Sequence, residues 1–173
     1  MSEFEEPALA GLFPETMAEE DPGVSIQDQI RALMFEQPYA VLCTQGGGQP
    51  YGSVIAFAVN QDLNAAVFAT PTATRKFRLL SECDQVALVV DNRSADPGDI
   101  SHIHAVTATG RAVDLSNYDA GDYWQKLLIN KHPVMHDFVC APSTALIRID
   151  ILRYFHVTRL QEVYQWIPPP PSR

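Results

Sequence analysis

The sequence lacks the features of membrane, secreted and metal-cluster proteins. No apolar run approaches the roughly 20 residues that a membrane-spanning helix requires. The opening residues, MSEFEEPALAGLF, have no basic start and no continuous apolar stretch, so we do not expect them to act as a secretory signal. Only three cysteines occur and none forms a CxxC pair, which argues against a zinc site or a disulfide framework. We therefore expect a cytoplasmic protein with three buried, reduced thiols at Cys43, Cys83 and Cys140.

Positive charge is also scarce, with 12 Lys and Arg against 21 Asp and Glu in 173 residues. Residues 1–23 contain seven of the acidic residues and no basic ones, so the other residues together carry little net charge. We predict that 1–23 form an acidic arm outside the folded domain. No broad basic face exists for nucleic acid, and no nucleic-acid partner is expected. The basic residues are instead concentrated locally, because Arg75, Lys76 and Arg78 lie within four positions.

The hydrophobic spacing predicts a mainly β domain with a few peripheral helices over residues 24–167. Ser25 is placed to cap a helix whose apolar stripe contains Ile26, Ile30 and Leu33. Further helices are predicted at 73–83 and 118–130, and strands at 39–45, 51–59, 65–70, 85–91, 103–114 and 144–158. The first three strands follow one another at hairpin spacing, which does not allow parallel crossovers. This order favours an antiparallel β-barrel.

The most informative segment is the strand–turn–helix unit over residues 68–80, FATPTATRKFRLL. Its strand ends at Thr70, and Thr74 can cap the helix that follows. The start of a helix presents free N–H groups and the positive end of the helix dipole, yet Arg75 and Lys76 place two cations there. A bound phosphate would offset that repulsion. The pattern alone leaves open the alternative of a solvated helix whose basic residues happen to fall early.

The same unit resembles the pyridoxamine-phosphate oxidases and their split-barrel relatives. In that family a strand ends in an aromatic–Thr pair, and a Ser followed by Arg-Lys begins the next helix. Thr70, Thr74, Arg75 and Lys76 match this spacing. The resemblance covers about residues 28–160 and identifies the fold class as an FMN-binding split β-barrel.

This resemblance implies that FMN binds in a groove completed by the second subunit of a homodimer. The FMN phosphate would be held by Thr70, Thr74, Arg75 and Lys76. On the second strand, Val54, Ile55 and Ala56 would lie along the isoalloxazine ring and offer backbone N–H and C=O groups.

Three departures distinguish the chain from true pyridoxamine-phosphate oxidases. Ala69, which the resemblance also places at the cofactor, stands where those enzymes have an aromatic residue. Val54 stands where they have an arginine. The C-terminal Arg-x-His that binds the substrate phosphate is absent, and a Pro-rich tail at 168–173 follows the domain. Oxidation of vitamin B6 is therefore not expected, whereas FMN binding is.

The resulting hypothesis is an FMN-dependent oxidoreductase that transfers hydride between the flavin and a small organic substrate or a nicotinamide donor. No catalytic side chain is assigned, and no metal site is predicted. Two alternatives stay open: a haem- or deazaflavin-binding protein of the same fold, and a non-catalytic stress or regulatory protein. Haem would need an axial ligand, for which His102, His104 and His156 are the candidates.

Overall fold

The computed structural model describes residues 24–93, 103–116, 121–158 and 162–170. The strands are β1 (Tyr39–Gly46), β2 (Gln49–Val59), β3 (Ala65–Pro71), β4 (Gln85–Asp91), β5 (Ala105–Asp114), β6 (Thr144–Thr158) and β7 (Glu162–Trp166). The helices are α1 (Ile26–Glu36), α2 (Arg75–Glu82), α3 (Gly121–Lys131) and α4 (His136–Val139), with a 3-10 turn at Pro133–Met135. The acidic arm predicted for residues 1–23, the candidate ligand His102 and the last three residues of the predicted tail lie outside the described residues.

Six strands close into an antiparallel barrel in the order β3-β2-β1-β4-β5-β6, because β3 also pairs with β6. Closure satisfies backbone groups that an open sheet would leave at its edges. The prediction of a mainly β, antiparallel split barrel is thus confirmed. β7, which was not predicted, extends the sheet from the last part of β6.

Alternate side chains along each strand point inward and fill the interior of the barrel. On β1 and β4 the buried and partly exposed positions alternate, as expected for strands with one face in a core. The fully buried interior side chains include Leu42, Phe57, Phe68, Leu88 and Ile149. Helix α1 begins at the predicted cap, where the Ser25 hydroxyl accepts a hydrogen bond from the Asp28 amide at 3.1 Å.

A second apolar layer covers the outside of β3. Trp124 and Leu128 of α3 pack there against Ala65 and Val67, while Phe68 points into the barrel. β3 is therefore buried on both faces, which explains why its sequence is almost continuously apolar.

The prediction of three buried thiols is wrong. Cys43 and Cys83 are half-buried and Cys140 is exposed, and all three are free. The reason is position: Cys43 lies on the outward-facing side of β1, and the other two follow the ends of α2 and α4.

The described helices include none with the length and apolar character needed to cross a bilayer. Residues 167–170, which follow β7, have no regular secondary structure, as the prolines predict. Pro168 is buried, and the carbonyl of Pro169 accepts a hydrogen bond from the Asn64 side chain at 3.1 Å.

Candidate functional site

The strands β2 and β3 separate next to Thr70. They pair only from Phe57 with Phe68 to Val59 with Ala66. Within the described residues, the edge of β2 over 51–56 therefore has no strand partner on the β3 side. We call this opening the β2–β3 gap. It is the split in the barrel, and it exposes backbone donors and acceptors that need partners.

The gap lies between two groups of predicted cofactor residues: Val54, Ile55 and Ala56 on β2, and Ala69 and Thr70 on β3. If the register continued beyond Phe57 and Phe68, Ala56 would lie opposite Ala69 and Ile55 opposite Thr70. Successive residues of a strand face opposite sides of the sheet, so the side chains of Ile55 and Thr70 point to one side and those of Ala56 and Ala69 to the other. Ile55 and Thr70 point inward and are buried, at 5% and 1% exposure. Ala69 points outward into the layer beneath α3, so toward the gap it offers only its backbone.

Thr74 caps helix α2, as predicted. Its hydroxyl oxygen accepts a hydrogen bond from the Phe77 amide at 3.3 Å and donates to the Pro71 carbonyl at 2.9 Å. The Thr70 hydroxyl lies 2.9 Å from it. Because Thr74 has only one hydroxyl proton, Thr70 must be the donor in that contact. The two threonines therefore brace the first turn of α2 against the end of β3, and both hydroxyl protons are used within the protein.

An open cleft of about 630 Å³ lies at the start of α2. It is lined by Thr72, Ala73, Thr74, Arg75, Phe77, Arg78 and Ser81. The lining contains two guanidinium groups and no carboxylate, and the amides of Arg75 and Lys76 are the first two of the helix, for which the helix has no acceptor. The volume is typical of small-molecule sites. Anions are the ligands that such a lining attracts.

Tyr51 connects the cleft to β2. The guanidinium of Arg75 lies 4.7 Å from the centroid of the Tyr51 ring, a cation–π contact between α2 and the strand that borders the gap. Arg78 is exposed and approaches Glu82 at 4.0 Å. Lys76 is half-buried and is not among the lining residues.

Sequence reasoning missed Tyr51 and several cleft residues. A signal for the latter was present, because Thr74, Phe77, Arg78 and Ser81 are spaced i, i+3, i+4 and i+7, which puts them on one face of α2. Tyr51 had no local signal, since its contact with Arg75 depends on the barrel closing.

The two described histidines proposed as haem ligands lie outside this cleft. His156 is 1% exposed, and among the described residues neither of its ring nitrogens has a hydrogen-bond partner. The ring of His104 stacks on it, with centroids 5.6 Å apart and planes inclined by 20°. Burial, and secondarily the nearby His104, lowers the pKa of His156 to about 4. His156 is therefore a neutral core residue of β6 in this structure. In the described part of the chain, no three His, Cys, Asp or Glu side chains group as metal ligands would.

Comparison with solved structures supports the barrel assignment. A haem-binding protein from Mycobacterium smegmatis matches with a TM-score of 0.74 and 14% identity, over 83% of this chain and 58% of that one. General stress protein 26 from Bacillus anthracis matches with a TM-score of 0.62 and 13% identity, over 83% and 99% of the two chains. An FAD-binding protein from Mesorhizobium loti matches with a TM-score of 0.62 and 14% identity, over 77% and 94%. Identities this low show a shared fold.

Comparison at the sequence level identifies the family. No curated protein matches the chain closely enough to count. The family model described as pyridoxamine 5′-phosphate oxidase matches residues 26–158, which is well over half of the chain and includes both sides of the β2–β3 gap and the whole of α2. The chain therefore belongs to the pyridoxamine 5′-phosphate oxidase family, as the strand–turn–helix unit had indicated.

Proposed function

We propose that this protein is an FMN-binding oxidoreductase that works in the cytoplasm as a homodimer. The observation that carries the proposal is the juxtaposition of a cationic cleft at the start of α2 with the unpaired backbone edge of β2. One feature suits a phosphate and the other suits a flat heterocycle with several hydrogen-bonding groups. The flavin-binding neighbour from Mesorhizobium loti supports this choice of cofactor class.

In this proposal the phosphate binds at the first turn of α2. The free amides of Arg75 and Lys76 would donate to its oxygens, and the Arg75 guanidinium can donate through two N–H groups at once. Lys76 would add a second positive charge. Thr70 and Thr74 would act chiefly by holding the turn in position, since their protons are already donated within the protein.

The isoalloxazine ring would lie along the edge of β2 in the β2–β3 gap. There the backbone groups of Val54, Ile55 and Ala56, with those of Ala69 across the gap, would pair with the polar edge of the ring. Bound FMN would supply hydride-transfer chemistry. The protein's part is to bind and orient the ring and to leave room for a small organic substrate or a nicotinamide donor.

The outside of the barrel supports a homodimer. Outward-facing residues of β1, β2 and β4 form a continuous uncharged surface, which we call the outer apolar face: Tyr39, Val41, Cys43, Gly52, Val54, Ala56, Ala87 and Val89. Tyr39 and Val54 are 62% and 68% exposed. A contiguous apolar surface of this kind is typical of a protein–protein contact. The face includes Val54 and Ala56, so a partner covering it would also reach the proposed flavin site.

The test is an FMN titration followed by absorption and flavin fluorescence, comparing wild type with Arg75→Ala/Lys76→Ala. We expect binding by wild type and a loss of at least about tenfold in affinity in the double variant, because charge-assisted hydrogen bonds are removed. Lys126→Ala is the matched control: it removes an exposed cation from α3 and should leave FMN affinity unchanged.

Each of the other outcomes favours a different hypothesis about the cofactor or its site. If wild type does not bind FMN but binds a deazaflavin, the cleft would remain the proposed site and the cofactor would be a deazaflavin. A Soret band after haem addition would favour haem. Equal FMN affinity in wild type and the double variant would overturn the phosphate site proposed here.

A further inference from the structure

Outside the cleft, α3 and α4 bring together four side chains that we call the Cys140 cluster: Gln125, His136, Asp137 and Cys140. Cys140 caps the C-terminal end of α4 and is exposed. Its sulfur lies 3.9 Å from Nε2 of His136, one helical turn earlier. The Gln125 side-chain amide donates to the same sulfur at 3.3 Å. Nδ1 of His136 lies 3.0 Å from an Asp137 carboxylate oxygen.

The hydrogen bonds assign a role to each nitrogen of the imidazole. A carboxylate can only accept, so Nδ1 of His136 carries the proton shared with Asp137. In the neutral ring Nε2 then has the free lone pair, and it is the atom that faces the thiol. This is the order of nucleophile, base and orienting carboxylate by which thiols are activated in proteins. The Gln125 amide adds a donor to the sulfur, which stabilises negative charge there.

Among the described residues, no such cluster surrounds either of the other two cysteines. Burial raises the pKa of the Cys43 thiol, which makes its reactive anionic form scarcer. Cys83 receives a hydrogen bond from the Gln45 side chain at 3.6 Å, and no imidazole contacts it within the described residues. The helix dipole of α4 opposes an anion at Cys140, but a helix of four residues has only a small dipole. The reactivity of the Cys140 thiol can therefore be compared with that of the Cys43 and Cys83 thiols in the same protein.

We propose that Cys140 is a thiol modification site that exchanges with low-molecular-weight disulfides, with His136 as its base. His136 Nε2 takes the thiol proton, and the thiolate attacks one sulfur of the incoming disulfide. A new bond forms between Cys140 and that sulfur, while the original disulfide bond breaks. The departing thiolate takes a proton from the His136 imidazolium. One disulfide is exchanged for another, so the step needs no further oxidant.

The experiment measures the rate at which each cysteine of the intact protein forms a mixed disulfide with oxidised glutathione. Quenched samples are digested and the modified peptides are quantified by mass spectrometry. Near neutral pH we expect Cys140 to react at least about tenfold faster than Cys83, because a base that faces the sulfur can accept the thiol proton. His136→Phe should reduce the Cys140 rate about tenfold and leave the Cys83 rate unchanged.

Asp137→Asn tests the orienting carboxylate separately. It should lower the Cys140 rate less than His136→Phe does and shift its pH–rate profile, whereas a merely structural role would leave the profile unchanged. His136→Asn, which keeps a polar group without the base, checks against loss of structure, and thermal unfolding is followed for every variant. A Cys140 rate that equals that of Cys83, or that is unchanged in folded His136→Phe and His136→Asn, would show an ordinary surface thiol and overturn the proposal.

Discussion

His156 is a residue whose polarity and burial are in conflict. Both ring nitrogens are buried with no hydrogen-bond partner in the described part of the chain, and the stacked neighbour His104 is itself an imidazole. A buried polar group without a partner lowers the stability of a fold. The β6 position opposite Val106 therefore accommodates the shape of the imidazole and makes no use of its hydrogen bonds. Protonation would add a buried charge to that cost.

The first prediction is that His156 makes the fold sensitive to acid. Its pKa is lowered from 6.5 to about 4, so the unfolded chain binds a proton over a range in which the folded chain does not. Stability is then complete above about pH 6.5 and is lost as the pH falls toward about 4. Between about pH 7 and about pH 5, wild type should lose about 2 kcal/mol more than His156→Phe. Urea unfolding of both proteins measures the difference, and equal losses would contradict the assignment.

Gly110 is the second residue at which the structure predicts the effect of a substitution on stability. The pairing of β5 with β6 shifts register between Thr109 and Gly110, and the strands approach closely there. A Cβ at position 110 would overlap the Asp150 carbonyl oxygen and lie 2.9 Å from Ile149 Cγ2. Because the obstacle is backbone, it cannot rotate away.

We therefore expect Gly110→Ala to lower the free energy of unfolding by about 1–3 kcal/mol. Gly121→Ala is the matched control, because among the described residues its added Cβ would approach only the Leu115 carbonyl oxygen, at 3.9 Å, and Gly121 lies outside the outer apolar face. Thermal and urea unfolding compare the two variants. Equal effects at both glycines would argue against the close approach of β5 and β6.

At the scale of elements, α2 depends on the two threonines that precede its body. Thr74→Ala removes the cap of the Phe77 amide and leaves the buried Thr70 hydroxyl without its acceptor. We expect a loss of about 2 kcal/mol in unfolding free energy, together with weaker FMN binding because the first turn frays. Thr74→Ser keeps the hydroxyl and should retain most of both properties. A Thr74→Ala protein as stable as wild type would show that the cap is dispensable.

Local elements were predictable from the sequence because their causes are local. The helix predicted at 73–83 is present as α2, since its cap, turn and apolar face all lie within the segment. β7 escaped prediction because five residues next to a proline run carry little periodicity, and its pairing partner is β6. The exposure of Cys140 also escaped, because cysteine is so often buried that composition favours the core.

The local elements of the candidate site were predictable, but their assembly was not. The positions of Thr74 and Arg75 at the start of α2 were recognisable from spacing, whereas the β2–β3 gap begins where the pairing ends, at Phe57 and Phe68. Single-sequence patterns carry no information on where two paired strands diverge. For the same reason the pairing of the Thr70 hydroxyl with Thr74, and the contact of Tyr51 with Arg75, become visible only in the closed barrel.

At the scale of the molecule, the barrel is covered unequally. α3 provides a second apolar layer over β3, whereas Tyr39 and Val54 on the outer apolar face of β1, β2 and β4 are exposed. The uncovered region borders the β2–β3 gap, since Val54 belongs to both. Cofactor binding and self-association should therefore be coupled, because a partner placed on this face would complete the wall of the proposed flavin site.

The last prediction distinguishes the coupling of FMN binding to self-association from the general effect of adding a charge to the surface. Val54→Asp places a charge at the centre of the outer apolar face and should convert a dimer into a monomer, because burying an unpaired carboxylate in an interface is costly. Val134→Asp is the matched control, since Val134 is 97% exposed and lies outside the face. Sedimentation and light scattering give the mass of each protein, and FMN titration gives its affinity. If the second subunit completes the groove, Val54→Asp loses both dimer and FMN affinity while Val134→Asp keeps both. A monomeric Val54→Asp with wild-type FMN affinity would place the whole flavin site within one barrel, and a monomeric wild type would remove the homodimer from the proposal.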